Sequence, residues 1–238
     1  MKSLIKRVRA FRNARRGEAR IAGIRLPIDT RVMSPKIQLV LGKGAYEQQE
    51  AEITAAVVKP GETIVELGAG LGFVSTYLRK KTPAGKIVCV EANPDLVQYI
   101  AQVHERNDAR DITILNGVVL SDVSGSSVPF YCRRDFWMSS MEPSDAPFDR
   151  VVETPALDFS QLLSTYQPSI LTLDIEGGEL DLLTSAKTLD PLRAIVAELH
   201  PGVYGSRGVS QLTKSLERFG FVEKPGSSSG RVRTYLRQ

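Results

Sequence analysis

Apolar residues recur along this chain in short blocks divided by glycine, proline and charged turns, and the blocks alternate between two periods. Ile64, Val65 and Leu67 form one run, Lys86 to Glu91 a second, Ile112 to Leu115 a third, Ser169 to Leu173 a fourth and Ala194 to Leu199 a fifth. Short, β-branched runs bounded by turn residues read as buried strands. Between them the spacing turns helical. Ala45 to Val58 is stopped by Lys59-Pro60-Gly61, Phe73 to Lys80 follows a glycine turn, and Pro94 to Asn107 puts Leu96, Val97, Ile100 and Val103 on one face. Leu180 to Lys187 and Gln211 to Phe219 complete the set. Strands alternating with helices predict a doubly wound, Rossmann-like α/β sheet, mostly parallel, with helices on both faces. Phe221-Val222 and Val232 to Leu236, flanking the turn Pro225 to Gly230, predict a C-terminal antiparallel hairpin.

Three stretches escape this rhythm. Ile21 to Lys43 holds Pro27, Pro35 and Gly42 among short apolar pieces and reads as a linker or irregular lead-in. Ser121 to Phe148 reads as a loop or short hairpin over the site, with Arg133, Arg134 and Trp137 as substrate-facing candidates. Val151 to Leu163 reads as a short strand turning into a helix. The chain therefore divides into a basic arm and linker at 1–43 and a ligand-binding domain at 44–238.

Charge sharpens that division. Nine basic residues face only Glu18 in the first 25, giving +8, so the remainder carries −4 of the net +4. Leu4, Ile5, Val8 and Phe11 stand at helical spacing in this arm. It is read as a basic amphipathic helix that packs on the domain or docks on a membrane surface or a protein. Nucleic acid ranks last among its partners. No apolar run approaches the roughly 18 residues of a membrane span, and the expected location is cytoplasmic. Cys89 in an apolar run and Cys132 in a polar one form no disulfide or metal spacing.

The chemistry gathers around E-T-I-V-E-L-G-A-G-L-G, residues 62 to 72. Gly68, Gly70 and Gly72 allow a sharp turn and a close backbone approach to a ligand. Glu91 lies nineteen residues beyond Gly72, at the end of the next strand, where such units place a carboxylate for ribose hydroxyls. Asn116-Gly117 ends the third strand at the same edge, and Tyr46, Glu47 or Glu50 come within reach as the chain enters the corner. The fourth strand exits into Asp174, Glu176 and Glu179, and the fifth into Glu198 and His200. Grouped carboxylates repel one another, so a ligand, cation or proton is expected among them. His200 or Asp174 is the expected proton acceptor, with Glu176 beside them. A divalent cation on Asp174, Glu176 and Glu198 is a lesser variant; the leading reading has no metal.

These motifs together resemble the FkbM-type S-adenosylmethionine-dependent methyltransferases. The matching residues are V-E-L-G-A-G-L-G at 65 to 72, Glu91 with Ala92-Asn93-Pro94, T-P-A-L-D at 154 to 158, L-D-I-E-G-G-E-L-D-L-L at 173 to 183 and A-E-L-H-P at 197 to 201. Gly70 replaces the family's common Asn, and Thr172 its common Lys. The resemblance implies a Rossmann-like methyltransferase sheet with S-adenosylmethionine as cofactor. It also implies O-methylation of a small-molecule or glycan hydroxyl, such as one on a sugar or polyketide. By position, Glu66, Gly68, Ala69, Gly70 and Gly72 border the methionine portion, Glu91 and Ala92 the ribose, Asn116 and Gly117 the adenine, and Asp174 the reacting methyl. A nicotinamide-dependent oxidoreductase is the alternative, although the dinucleotide pattern's third glycine is missing. A non-catalytic domain docked by its basic arm is the third reading.

Overall fold

The computed structural model describes residues 15–44, 46–143 and 147–238. The expected helix over Leu4 to Phe11 lies outside them, as do Ala45 and residues 144–146. A hairpin, β1 (Glu18–Ile21) and β2 (Ile24–Pro27), comes first, followed by helices α1 (Pro35–Lys43) and α2 (Gln48–Ala55). The main α/β unit is β3 (Thr63–Leu67), α3 (Phe73–Lys81), β4 (Lys86–Glu91), α4 (Pro94–Arg106) and β5 (Ile112–Asn116). β6 (Val118–Leu120), β7 (Ser127–Cys132) and β8 (Arg150–Asp158) follow, then α5 (Phe159–Tyr166), β9 (Ile170–Leu173), α6 (Glu179–Thr184) and β10 (Ala194–Glu198). The chain closes with α7 (Pro201–Arg218), β11 (Phe221–Glu223) and β12 (Val232–Arg237).

Seven strands form the central sheet in the order β11-β12-β10-β9-β3-β4-β5. From β10 to β5 all neighbours are parallel. β12 runs antiparallel to both β10 and β11, so the expected terminal hairpin is built into the sheet edge. The chain starts at β3 and winds outward through β4 and β5, then returns to β9 on the other side of β3. That reversal opens a crevice at the carboxyl ends of β3 and β9, the place where open α/β sheets bind ligands.

Alternation along each strand assigns the two faces. Ile64, Ile87, Ile170 and Ala194 pack with Phe73, Leu78, Leu96 and Tyr99 in one core. Val65, Val88, Leu171 and Ile195 pack on the opposite face with Phe159, Leu163, Leu183 and Leu212. Because the side-chain period of a strand is two, this single choice of register places α3 and α4 on one side and α5 to α7 on the other.

The stretch read as a lead-in is ordered. Ala19, Ile21, Ile24 and Leu26 are fully buried in the first core, and Arg20 and Arg25 alternate with them. Ser34 accepts a hydrogen bond from the Ile37 N–H and Pro35 fills the first turn, so α1 carries a complete N-terminal signal. The expected loop at 121–148 contains β7, which joins β8 and β6 in a separate three-stranded sheet.

Candidate functional site: a glycine corner ringed by carboxylates

The turn after β3 is shaped by what crowds it. Gly68 has φ 81°, and a Cβ there would stand 1.9 Å from the Asp174 carbonyl oxygen, so only glycine fits where the turn after β3 passes the end of β9. Gly70 has φ 52°, and its Cβ would point at the Tyr46 hydroxyl at 3.0 Å and Glu47 Oε1 at 3.3 Å, with Phe136 Cε2 3.6 Å away. The Tyr46 hydroxyl is buried with no hydrogen-bond partner.

Glu91 closes the corner from β4. Its Oε2 accepts from the Gly70 N–H at 2.9 Å and its Oε1 from the Asn93 N–H at 2.8 Å, which locks both oxygens toward the turn. Burial raises its pKa to about 7 against those two bonds. Each oxygen keeps a lone pair for a ligand hydroxyl. Glu66 lies deeper. Burial raises its pKa to about 8, and Oε2 has no partner. The Asn116 Nδ2 group donates to the Glu91 carbonyl at 2.9 Å and the Ala92 carbonyl at 3.0 Å, so its amide N–H groups brace the strand ends rather than point outward. A Cβ on Gly117 would come within 2.5 Å of Leu157 Cδ1, so close packing against β8 explains that glycine.

The second rim comes from β9, α6 and β10. Asp174 follows β9, and His200 stands at the N-terminus of α7. His200 Nε2 lies 3.5 Å from Asp174 Oδ1 and 3.3 Å from Glu176 Oε2, and Nδ1 lies 3.3 Å from Glu179 Oε1. Burial alone would lower the imidazole pKa. Glu176 and Glu179, with the charge of Asp174, outweigh it and carry the pKa to about 10. With no ion bound, this favours the charged imidazole at neutral pH, and in that state His200 is a poor proton acceptor. Asp174 is pushed well above the usual carboxylate range by burial, then by Glu198 and Glu176. Glu179 is fully buried; its Oε1 accepts from the Ile175 and Gly177 N–H groups and ties down the loop ahead of α6.

Asp174 is shared by two sets of converging donors. One adds Glu176 and His200, the other Glu50 and Glu198. The trio expected from sequence, Asp174 with Glu176 and Glu198, is split between them. Glu50 reaches the corner from α2 and accepts from Thr172 Oγ1 at 3.1 Å, so Thr172 has a specific partner. Glu198 pairs with Arg231.

Beside Asn93 opens a cleft of about 330 Å³ lined by Arg31, Arg133, Arg134, Arg150 and Phe136. Arg133 lines it but is held by the carbonyls of Tyr131 and Met138 and by Ser140 Oγ. Trp137 turns away from it to pack on the first core, with Lys36 5.4 Å from its ring centre. Arg31, Arg150 and Phe136 were not foreseen. Phe136 adjoins Arg133-Arg134 in sequence, but Arg31 stands 102 residues before Arg133 and Arg150 lies on β8, so only the fold gathers them. Among the described residues no helix is long and apolar enough to cross a membrane.

The corner's donor set fits a ligand with hydroxyls at Glu91 and positive charge toward Glu66 and Asp174. A comparison with known families decides which ligand. Residues 24–127 match the model of the TRM5/TYW2 methyltransferase domain. The chain carries the Rossmann-like methyltransferase fold, its cofactor is S-adenosylmethionine, and it is an S-adenosylmethionine-dependent methyltransferase. This match overturns the FkbM resemblance. The motifs that suggested FkbM in the first half of the chain, the glycine turn and the strand-end acid, are common to many methyltransferases, and the family model that covers them is a different one. The low rank given to nucleic acid falls with it, as does the preference for a small-molecule or glycan hydroxyl, because the TRM5/TYW2 family acts on tRNA.

No curated protein matches the chain. Among solved structures, Trm5b from Pyrococcus abyssi is 14% identical, with 92% of this chain and 54% of that chain covered at a TM-score of 0.48. The chain thus spans about half of that protein's length. M. jannaschii TYW2 in complex with AdoMet is 12% identical over 93% of this chain and 86% of that one, at 0.47. Precorrin-6y C5,15-methyltransferase from Geobacter metallireducens is 14% identical over 82% and 89%, at 0.45. These are likenesses in outline.

Proposed function

We propose that this methyltransferase modifies RNA, with tRNA as the acceptor class. The observation that carries the reading is the TRM5/TYW2 domain match over the segment that contains the glycine corner. Charge supports it in part: four arginines line the cleft beside the Glu91 end of the corner against two aspartates, Asp95 and Asp149, with Arg150 paired to Asp95 and Arg31 to Asp29, and phosphate contacts supply most of the affinity for nucleic acid. Exposed Phe148 lies two residues before Arg150, and single-stranded RNA is recognised largely by stacking on aromatic side chains.

The chemistry asks little of the chain. S-adenosylmethionine supplies an already activated methyl. The residues must hold donor and acceptor in line and remove any proton the acceptor loses. Glu91, fixed by the Gly70 and Asn93 N–H groups, orients the cofactor. Asp174, whose Oδ1 faces the corner with no hydrogen-bond partner, takes the proton. With no ion bound, His200 stays charged and balances the carboxylates around it.

Two measurements test this reading. S-adenosylhomocysteine at a hundredfold excess over Kd should stabilise the protein by about 2.7 kcal/mol, with NAD inert. Labelled methyl should then pass from S-adenosylmethionine into tRNA. Label entering small hydroxyl compounds while tRNA stays unlabelled would overturn the RNA reading and leave the cofactor assignment standing.

A further inference from the structure

The spacing around His200 is not that of a proton shared with its neighbours. Charge-assisted N–H···O bonds contract to about 2.7–2.9 Å, yet Nε2 stands 3.3 Å from Glu176 and 3.5 Å from Asp174. One N–H cannot point at both carboxylates, and Asp174 Oδ1 is buried with no hydrogen-bond partner. The separations match the edges of a coordination shell instead. Donors about 2.0–2.1 Å from a tetrahedral ion stand roughly 3.3 Å from one another. All three donor atoms lie within 4.8 Å of one another.

A second, independent feature lies behind the ring. His200 is 5% exposed, and its Nδ1 makes no hydrogen bond within the protein but faces Glu179 Oε1 at 3.3 Å. Glu179 is fully buried and its Oε1 is held by two backbone N–H groups, so it cannot swing away. A fixed carboxylate behind an imidazole is the arrangement that orients metal-bound histidines and sets their tautomer. Glu176, on the opposite side, is more exposed, its side chain at 38%, which leaves a way in and a coordination position open to solvent.

We propose that Asp174, Glu176 and His200 Nε2 bind one divalent transition-metal ion, which displaces the Nε2 proton to solvent, with Glu179 orienting the imidazole. One nitrogen and two carboxylate oxygens, with both nitrogen–oxygen separations near a tetrahedral edge, suit Zn²⁺ best, with Mn²⁺ next. The other donors near Asp174 are less available, since Glu198 is paired with Arg231 and Glu50 is engaged by Thr172. This site stands apart from the identity of the methyl acceptor.

The test is calorimetric titration of chelator-treated full-length protein with ZnCl₂ and, separately, MnCl₂, without cofactor or RNA. One Zn²⁺ per chain is expected, bound at least tenfold more tightly than Mn²⁺. Glu176→Gln, at a partly exposed position, keeps the fold by circular dichroism and weakens Zn²⁺ by tenfold or more; Glu179→Gln weakens it about ten- to hundredfold through the ring. Absence of saturable binding by either ion overturns the proposal. So does equal Zn²⁺ affinity in the wild type and Glu176→Gln, which would put the ion elsewhere.

Discussion

The two rims of the corner are both made of acids, yet they are held in opposite ways. On the cofactor rim, Glu91 is gripped by backbone N–H groups of its own turn and of the glycine loop, so its position follows once β3 and β4 pair. On the acceptor rim, Asp174 and Glu176 face another side chain, His200, which arrives from a later strand end. The first rim is rigid and set by backbone geometry. The second depends on electrostatic balance, and the arrangement of its charges is open to change by a ligand or an ion. Glu91 is thus set by backbone geometry, while Asp174 and Glu176 are set by their contacts with another side chain.

Substitutions should separate the rims. The largest effect is expected from Gly68→Ala, whose Cβ would meet the Asp174 carbonyl at 1.9 Å where β3 and β9 touch. Unfolding monitored by denaturant should show a loss of about 4 kcal/mol or more, or no folded protein. Asp174→Asn should fold and bind S-adenosylhomocysteine within a few-fold of wild type while methyl transfer drops roughly 10²–10⁴-fold. Equal losses of binding and turnover would erase the distinction between the rims.

Glu91→Ala comes next. Removing a charged acceptor of ligand hydroxyls should weaken S-adenosylhomocysteine by about ten- to hundredfold, measured calorimetrically, with circular dichroism unchanged. The same carboxyl predicts a pH dependence. Its folded pKa, about 7, lies above its ordinary value of 4.5. The ligand-free fold thus holds this proton more tightly than the unfolded chain does, and Glu91's contribution to stability is lost as pH rises from 4.5 through 7. Cofactor affinity runs the other way, strengthening from pH 6 to 8 as the acceptor ionises. Glu91→Ala should flatten that part of the profile.

How much of this was legible in the sequence follows the same division. β3, β4, β9 and β10 are buried on both faces and appear as continuous apolar runs, and the glycine turn and Glu91 lie within one local unit. The β1–β2 hairpin was not read because its arginines alternate with buried residues over only four positions per strand. β7 has Pro129 and two exposed positions, so only its pairing with β8 makes it a strand. The first half of α7 carries Gly202, Gly205 and Gly208, which argue against a helix, and Gly205 does break the helical conformation with φ 67°. At α1 the signal was present: Ser34-Pro35 opens the helix and Gly44 ends it at φ 74°. On the acceptor rim, sequence supplied Asp174, Glu176 and His200 as candidates. That His200 is crowded by three carboxylates, and so charged, needed the fold.

The short turn that brings Phe136 over Gly70 is fastened by Asp135, which accepts from Ser34 Oγ at 2.5 Å and pairs with Lys36 at 3.0 Å. Lys36 is 61% exposed, whereas Glu91 is buried. Salt screens a surface pair far more than a buried one, so raising ionic strength should shorten the residence of bound S-adenosylhomocysteine about two- to threefold. Stopped-flow release would show it, and Lys36→Ala should remove the effect. The strength with which the methyl donor is held would then be a property of the sheet, and the pace of its exchange a property of the medium.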